Sequence, residues 1–173
     1  MTASAPSSTL VLGGARSGKS RHAEGLGRAH GGAMIYIATG EAGDAEMARR
    51  IAHHRAARGP AWTTIEEPVD LAQVLERAAR PQQFVLVDCI TLWITNLMAR
   101  GRPVGEAVEG LCRVIAAAGG DLCLVSNEVG LGIVPDNPLA RQFRDEAGQA
   151  HQRLAAVCQH VVFMVGGLPI TVK

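Results

Sequence analysis

Apolar residues fall along the chain in two rhythms. Short, nearly continuous apolar runs recur at Thr9–Leu12, Met34–Ala38, Phe84–Val87, Leu122–Ser126 and Val161–Val165. Runs of this kind, without alternation, are how strands covered on both faces by helices read, so they predict a parallel sheet. Thr63–Glu66 is a weaker strand and Ile170–Val172 an edge strand. Between the runs the spacing is helical, predicting helices over Lys19–Ala29, Ala45–Arg58, Leu71–Ala79, Thr91–Arg100, Val104–Ala118 and Leu139–Gln159. Asn137-Pro138 is a start signal for the last of these, with Asn as N-cap and Pro at the first helical position. Asp44 serves similarly before Ala45, with Glu46 in the first turn. Strand and helix alternate with short Gly/Pro breaks, which predicts a doubly wound, mostly parallel α/β domain. No repeat or linker interrupts it, so residues 9–173 read as one domain behind a loose terminus of residues 1–8.

Composition narrows the function classes. A length of 173 residues suits one domain. No apolar stretch approaches the ~20 residues of a membrane span, and the first eight residues lack the basic and apolar regions of a signal peptide. A net charge of +1, with three Phe, one Tyr and two Trp, offers neither a basic stripe nor a stacking platform, so no nucleic-acid or anionic-membrane partner is expected. Cys89, Cys112, Cys123 and Cys158 are scattered, three of them in apolar stretches, and read as free thiols of a reducing cytoplasm. Gly occurs 20 times, well above the average of about 7%, which points to turns or a backbone that approaches a ligand closely.

Lys19 and Lys173 are the chain's two lysines, and Lys19 lies in a motif. Gly13-Gly14-Ala15-Arg16-Ser17-Gly18-Lys19-Ser20 fits G-x-x-x-x-G-K-[ST], with an apolar strand before it and a helical pattern after it. Glycines let successive N–H groups converge on phosphate oxygens, and the helix N-terminus adds positive potential there. Lys19 is placed to reach the β/γ-phosphates and Ser20 to ligate Mg²⁺. Phe84-Val85-Leu86-Val87-Asp88 is an apolar strand ending in a carboxylate, the usual second holder of that metal. Glu128 follows another strand; it faces the same crevice or is a surface turn residue. Either Asp88 or Glu128 could orient an attacking hydroxyl.

The Ala45–Arg58 helix carries His53 and His54, which as neighbours lie about 100° apart and cannot share one metal as an i, i+4 pair could. Arg50 and Arg58 fall on the face of His54, and Arg49 on that of His53. Two cations one turn away favour a neutral, nucleophilic His54 imidazole and would neutralise polyphosphate oxygens. The alternative is a solvated basic face with a passive histidine.

GGARSGKSRHAE, YIAT, RIAHHR, VLVDCITLWITNL and SNEVGLGIVPDNPLARQFRDEAGQAHQRLA, collinear from Thr9 to Lys173, together resemble one family. It is the bifunctional adenosylcobinamide kinase/adenosylcobinamide-phosphate guanylyltransferase family of cobalamin biosynthesis. The resemblance implies a RecA-like P-loop fold, a homotrimer, and two reactions. A nucleoside triphosphate (ATP or GTP) with Mg²⁺ phosphorylates the aminopropanol hydroxyl of adenosylcobinamide. GTP then transfers GMP to adenosylcobinamide phosphate through a guanylyl-histidine. The family's acceptor falls on His54, and Lys19 serves the triphosphate. Its nucleotide contacts fall on Gly13, Gly14, Ala15, Arg16, Ser17, Gly18, Lys19 and Ser20. Further contacts fall on Thr39, Gly40 and Glu41, on Arg55, Ala56, Ala57 and Arg58, and on Glu66 and Asp88, with Ser20 and Asp88 at the metal. Thr39-Gly40-Glu41 departs from the Ser-Gln or Ala-Gln expected there. Two rival readings remain: a P-loop kinase for another small metabolite with an inert His54, and a RecA-like NTPase switch.

Overall fold

The computed structural model describes residues 5–43, 45, 49, 52 and 59–173. Its seven strands are β1 (Ser8–Gly13), β2 (Ala33–Ala38), β3 (Trp62–Glu66), β4 (Gln83–Asp88), β5 (Asp121–Asn127), β6 (His160–Val165) and β7 (Leu168–Thr171). Helices α1 (Lys19–His30), α2 (Leu71–Ala78), α3 (Ile90–Ala99), α4 (Val104–Ala117) and α5 (Pro138–Val157) complete the elements with described bounds. One sheet runs in the order β3-β2-β4-β5-β1-β6-β7. Every pairing is parallel except the last, β6 with β7.

The sheet is covered on both faces, which is why its central strands are apolar at consecutive positions. Phe84 to Val87 in β4 and Leu122 to Ser126 in β5 are buried without a break. On one face Val11, Tyr36, Leu86, Cys123 and Val125 pack with Ala23 of α1. On the other, Leu10, Ile37, Val85, Val87 and Leu124 meet the apolar sides of α2 to α5, with Trp93 filling the centre. Cys89, Cys123 and Cys158 are buried and Cys112 half-buried, and all four are free thiols. Among the described residues no helix is long and apolar enough to cross a membrane.

The doubly wound α/β expectation matches this architecture, with local adjustments. The weak Thr63–Glu66 strand is β3, one residue longer, at the sheet edge. The edge strand expected over Ile170–Val172 runs over Leu168–Thr171 and closes a hairpin on β6. β1 begins at Ser8 rather than Thr9, and the Ser7 N–H donates to Asp121. The Asn137 side chain caps α5 as its type suggests, accepting from Leu139 N at 2.8 Å and Ala140 N at 3.3 Å. That helix starts at Pro138 and stops at Val157 instead of Gln159, because Cys158 is extended and leads into β6. Of the helix expected over 45–58, Ala45, Arg49 and Ala52 are helical and exposed. Asp44, its expected cap, lies outside the described residues.

Candidate nucleotide site

The phosphate loop leaves the carboxyl end of β1 and delivers Lys19 and Ser20 as the first two residues of α1. Gly18, the residue before the helix, has φ 93°, a left-handed conformation that a side chain would strain. The loop is braced from the far end of the chain. Gly167, in the Gly166-Gly167 turn between β6 and β7, donates its N–H to Ser17 O at 3.0 Å. A Cβ on Gly18 would lie 3.2 Å from the Gly167 Cα.

Lys19 Nζ donates to Gly14 O at 2.6 Å, which holds the ammonium over the loop. The side chain is only 7% exposed, and burial lowers its pKa while the acidic groups Cys89 and Asp88 push it back up. Among the described residues the Ser17 hydroxyl is buried without a hydrogen-bond partner.

Asp88 ends β4, and β4 pairs with β2 in a register that places Ala38 opposite it. Its Oδ2 accepts from Ser20 Oγ at 2.8 Å and from the Tyr36 hydroxyl at 2.9 Å. Tyr36 is itself fixed by an edge-on contact with Trp62. Ser20 and Asp88 thus present hard oxygen donors beside a phosphate cradle. That suits Mg²⁺, which takes one or two protein oxygens and completes its shell with phosphate and water. No group of three or more His, Cys, Asp or Glu gathers elsewhere among the described residues to compete for a metal.

The turn after Asp88 is locked by Thr39. Its fully buried Oγ1 donates to Cys89 O at 2.7 Å and accepts from Cys89 N at 2.8 Å. The Thr39 carbonyl accepts from Asn96 Nδ2 at 2.7 Å. The Cys89 thiol beside it is pushed up to about 11, by burial first and then by the Asp88 charge, so it is neutral at pH 7.

These elements enclose a cleft of about 770 Å³ whose walls include Ala15 to Ser20, Gly40 and Asp88. Gly13 and Gly14 form the root of the same loop. Thr39 lies under the cleft with its hydroxyl engaged by Cys89, and Glu41 is exposed and accepts from Arg100 at 2.8 Å. Glu66 ends β3, two strands away from Asp88. His54, its neighbours His53 and Arg50, and Arg55, Ala56, Ala57 and Arg58 lie outside the described residues. Glu128 follows directly on Asn127, which lines the cleft.

Sequence reasoning missed several walls: Tyr36, Arg21, Asn127, Gly166 and Gly167. The Gly166-Gly167 pair after an apolar strand was a hairpin signal that could have been read. Tyr36 and Asn127 fall inside the YIAT and SNEVGLGIVPD segments, but nothing in their residue pattern marks either as a wall of the cleft.

Comparison with known proteins follows the same line. The sequence model of the cobinamide kinase / cobinamide phosphate guanyltransferase family matches residues 9–172. The bifunctional adenosylcobalamin biosynthesis protein CobP of Pseudomonas aeruginosa is 51% identical over 167 residues, covering 95% of this chain and 96% of that one. The proteins of that description called CobU are 38% identical in Escherichia coli and 41% in Salmonella typhimurium, each match covering 95% of this chain and 98% of the relative. Among solved structures, the flagellar accessory protein FlaH of Methanocaldococcus jannaschii superposes with a TM-score of 0.55 at 13% identity, covering 98% of this chain and 79% of FlaH. The RadB recombinase gives 0.52 at 18%, covering 92% and 74%. These two likenesses concern the fold alone, a mostly parallel seven-stranded sheet flanked by helices.

Proposed function

The chain belongs to the cobinamide kinase / cobinamide phosphate guanyltransferase family, and from that membership and the cleft we propose both reactions for it, with named residues. In the first, a nucleoside triphosphate phosphorylates the side-arm hydroxyl of adenosylcobinamide. In the second, GTP gives GMP to the resulting phosphate, yielding adenosylcobinamide-GDP and pyrophosphate in cobalamin biosynthesis.

One observation carries the reading: a lysine-bearing phosphate loop whose hydroxyl, Ser20, is bonded to the strand-end carboxylate Asp88. Backbone N–H groups of Gly13 to Ser20 bind the polyphosphate, and Lys19 draws negative charge from its terminal oxygens. Ser20 and Asp88 would hold Mg²⁺, which when bound offsets charge on the bridging and terminal phosphate oxygens. Tyr36 keeps Asp88 oriented toward that position.

For the second reaction we assign His54 as the acceptor. Its neutral Nε2 or Nδ1 attacks the α-phosphorus of GTP and a phosphoramidate forms as pyrophosphate leaves. Arg50 and Arg58, each four residues from His54 in the sequence, would offset the charge of the departing group. Gly40, Glu41, Arg55, Ala56, Ala57, Arg58 and Glu66 are carried over from the family as nucleotide contacts. Support is strongest for Gly40, which lines the cleft.

A homotrimer is proposed on the family's pattern. The exposed apolar side chains of Leu168, Ile170 and Val172 on the last strand and its end support an interface there. The four free thiols support a reducing, cytoplasmic setting.

Incubation with α-labelled GTP tests the function. The protein should acquire an acid-labile, alkali-stable label that chases into adenosylcobinamide phosphate and is lost in His54→Ala. A chain that phosphorylates adenosylcobinamide but never takes the label is a kinase alone.

A further inference from the structure

The tip of β5 carries a buried polar chain that neither the phosphate loop nor Asp88 uses. β5 points Val125 and Asn127 into the cleft, so the intervening Ser126 faces the opposite side, where it is fully buried. There its Oγ lies 2.7 Å from Nε2 of His151, a 6% exposed residue of α5. The other ring nitrogen, Nδ1, is 3.7 Å from Oε2 of Glu128. Glu128 is pinned on two further sides: its N–H donates to Gly13 O at 2.9 Å, at the root of the phosphate loop, and its Oε1 accepts from Gly130 N at 2.6 Å. The carboxylate keeps 21% of its side-chain surface open.

Proton positions follow from the acceptors. At 3.7 Å the Glu128 carboxylate is outside hydrogen-bond distance of Nδ1, but an ionised carboxylate only accepts and so favours the tautomer with its proton on Nδ1, in which Nε2 accepts from Ser126. Burial lowers the pKa of His151 against the opposing pull of Glu128, in keeping with a neutral ring. The result is serine, imidazole and carboxylate in series, with the carboxylate at the exposed end, next in sequence to the cleft-lining Asn127.

Phosphorylating an alcohol requires that its proton go somewhere. Asp88 is committed elsewhere: with Ser20 it would hold the Mg²⁺, and a carboxylate neutralised by a bound cation is a poor proton acceptor. We propose that Glu128 is the catalytic base of the phosphoryl-transfer step and that His151, backed by Ser126, is the positioning residue that aims it. The inference rests on the kinase and guanylyltransferase reading. In the step, the substrate oxygen bonds to the γ-phosphorus while its proton passes to Glu128. The bond from the γ-phosphorus to the β,γ-bridging oxygen breaks, and the electron pair leaves with the nucleoside diphosphate. GMP transfer uses a phosphate oxygen as nucleophile, which carries no proton to remove, so that reaction does not call on Glu128.

The two activities therefore separate. Glu128→Gln in the full chain, assayed with Mg²⁺, should lower kcat for phosphorylation of adenosylcobinamide by about 100-fold or more, with KM for the triphosphate little changed. The same preparation should take the GTP label and pass GMP to adenosylcobinamide phosphate near the parent rate, which also shows that it is folded. In His151→Asn the amide stands in for Nδ1–H, and in His151→Gln for Nε2. The Asn variant should keep more phosphorylation than the Gln variant, with the difference in kcat. Phosphorylation near the parent level in Glu128→Gln, or an equal loss of both activities, overturns the assignment of the base. Equal losses in the two His151 variants, spread over both activities, make that ring a scaffold and overturn its positioning role. If the parent chain never labels with GTP, the underlying reading fails, an outcome distinct from all of these.

Discussion

Ser20 and Asp88, 68 residues apart in the chain, share a 2.8 Å hydrogen bond in which the serine hydroxyl donates to Oδ2. Tyr36 donates to the same oxygen from the neighbouring strand. The first turn of α1 and the tips of β2 and β4 are therefore locked around one carboxylate. Asp88→Asn removes the charge and should cut both nucleotide reactions by about 100-fold or more. Tyr36→Phe leaves the carboxylate but frees its orientation, and removal of such an orienting partner typically costs 10- to 100-fold in metal affinity. It should raise the Mg²⁺ concentration for half-maximal phosphorylation by about tenfold, read from a metal titration at saturating nucleotide.

Two glycines should separate the loop's support from its function. A Cβ on Gly14 meets open space, so Gly14→Ala should change stability by less than about 1 kcal/mol yet weaken nucleotide binding where the backbone must approach phosphate. Gly167 has φ 87° and would push its Cβ to 3.2 Å from Arg21 Nη2. Gly167→Ala should cost about 1–2 kcal/mol of stability. Urea denaturation and nucleotide titration of the two variants check the pair.

What could be read along the chain was local. The strands β1, β2, β4, β5 and β6 were legible because burial on both faces leaves continuous apolar runs, and Lys19, Ser20 and Asp88 because loop and strand end each carry a compact signature. Thr39 shows the limit. Its hydroxyl bonds both backbone groups of Cys89, 50 residues away, and nothing near it in sequence announces that partner. The bracing of the loop by Gly167 and the Ser126, His151, Glu128 series are likewise products of strand order. β5 and β6 flank β1 only because the chain returns to that strand from distant parts of the sequence. Glu41 pairs its carboxylate with Arg100, 59 residues away, a partner that nothing near it in sequence announces.

Burial lowers the pKa of Lys19, so its ammonium is lost at a pH below the ordinary lysine range. The protonated form is the one that attracts phosphate. Nucleotide affinity should therefore decline as pH rises through that lowered pKa, and binding in the same range should draw a proton onto the enzyme. Calorimetry in two buffers of different ionisation enthalpy reads the sign of that proton, and Lys19→Met should abolish the uptake.

His151 adds a pH dependence to stability. Burial holds its folded pKa below the ordinary histidine value of 6.5, so between the two values the unfolded chain binds more protons than the native one. Its contribution is present in full above about pH 6.5 and is lost as pH falls through the folded pKa. Tm should drop by several degrees, on the order of 5 °C, across that acidic window, and the His151→Gln profile should be flatter there. Thermal scans at constant ionic strength check it.

Thr39→Val tests the lock under the cleft. Valine keeps the branched shape, so the apolar packing survives, but the Cys89 N–H loses the Oγ1 that satisfies it in a fully buried place, while the Cys89 C=O keeps only the Trp93 N–H at 3.1 Å. An orphaned buried group costs about 1–3 kcal/mol. The midpoint of urea denaturation should fall accordingly, with the slope unchanged because the folded surface is the same. Cys89 is covalently joined to Asp88, so the variant should also need more Mg²⁺ for phosphorylation, through a carboxylate no longer held in register with Ser20. Thr39→Ser keeps the hydroxyl and loses only a methyl group. It should recover most of the stability and the metal response together, which ties both effects to the hydrogen bonds rather than to packing.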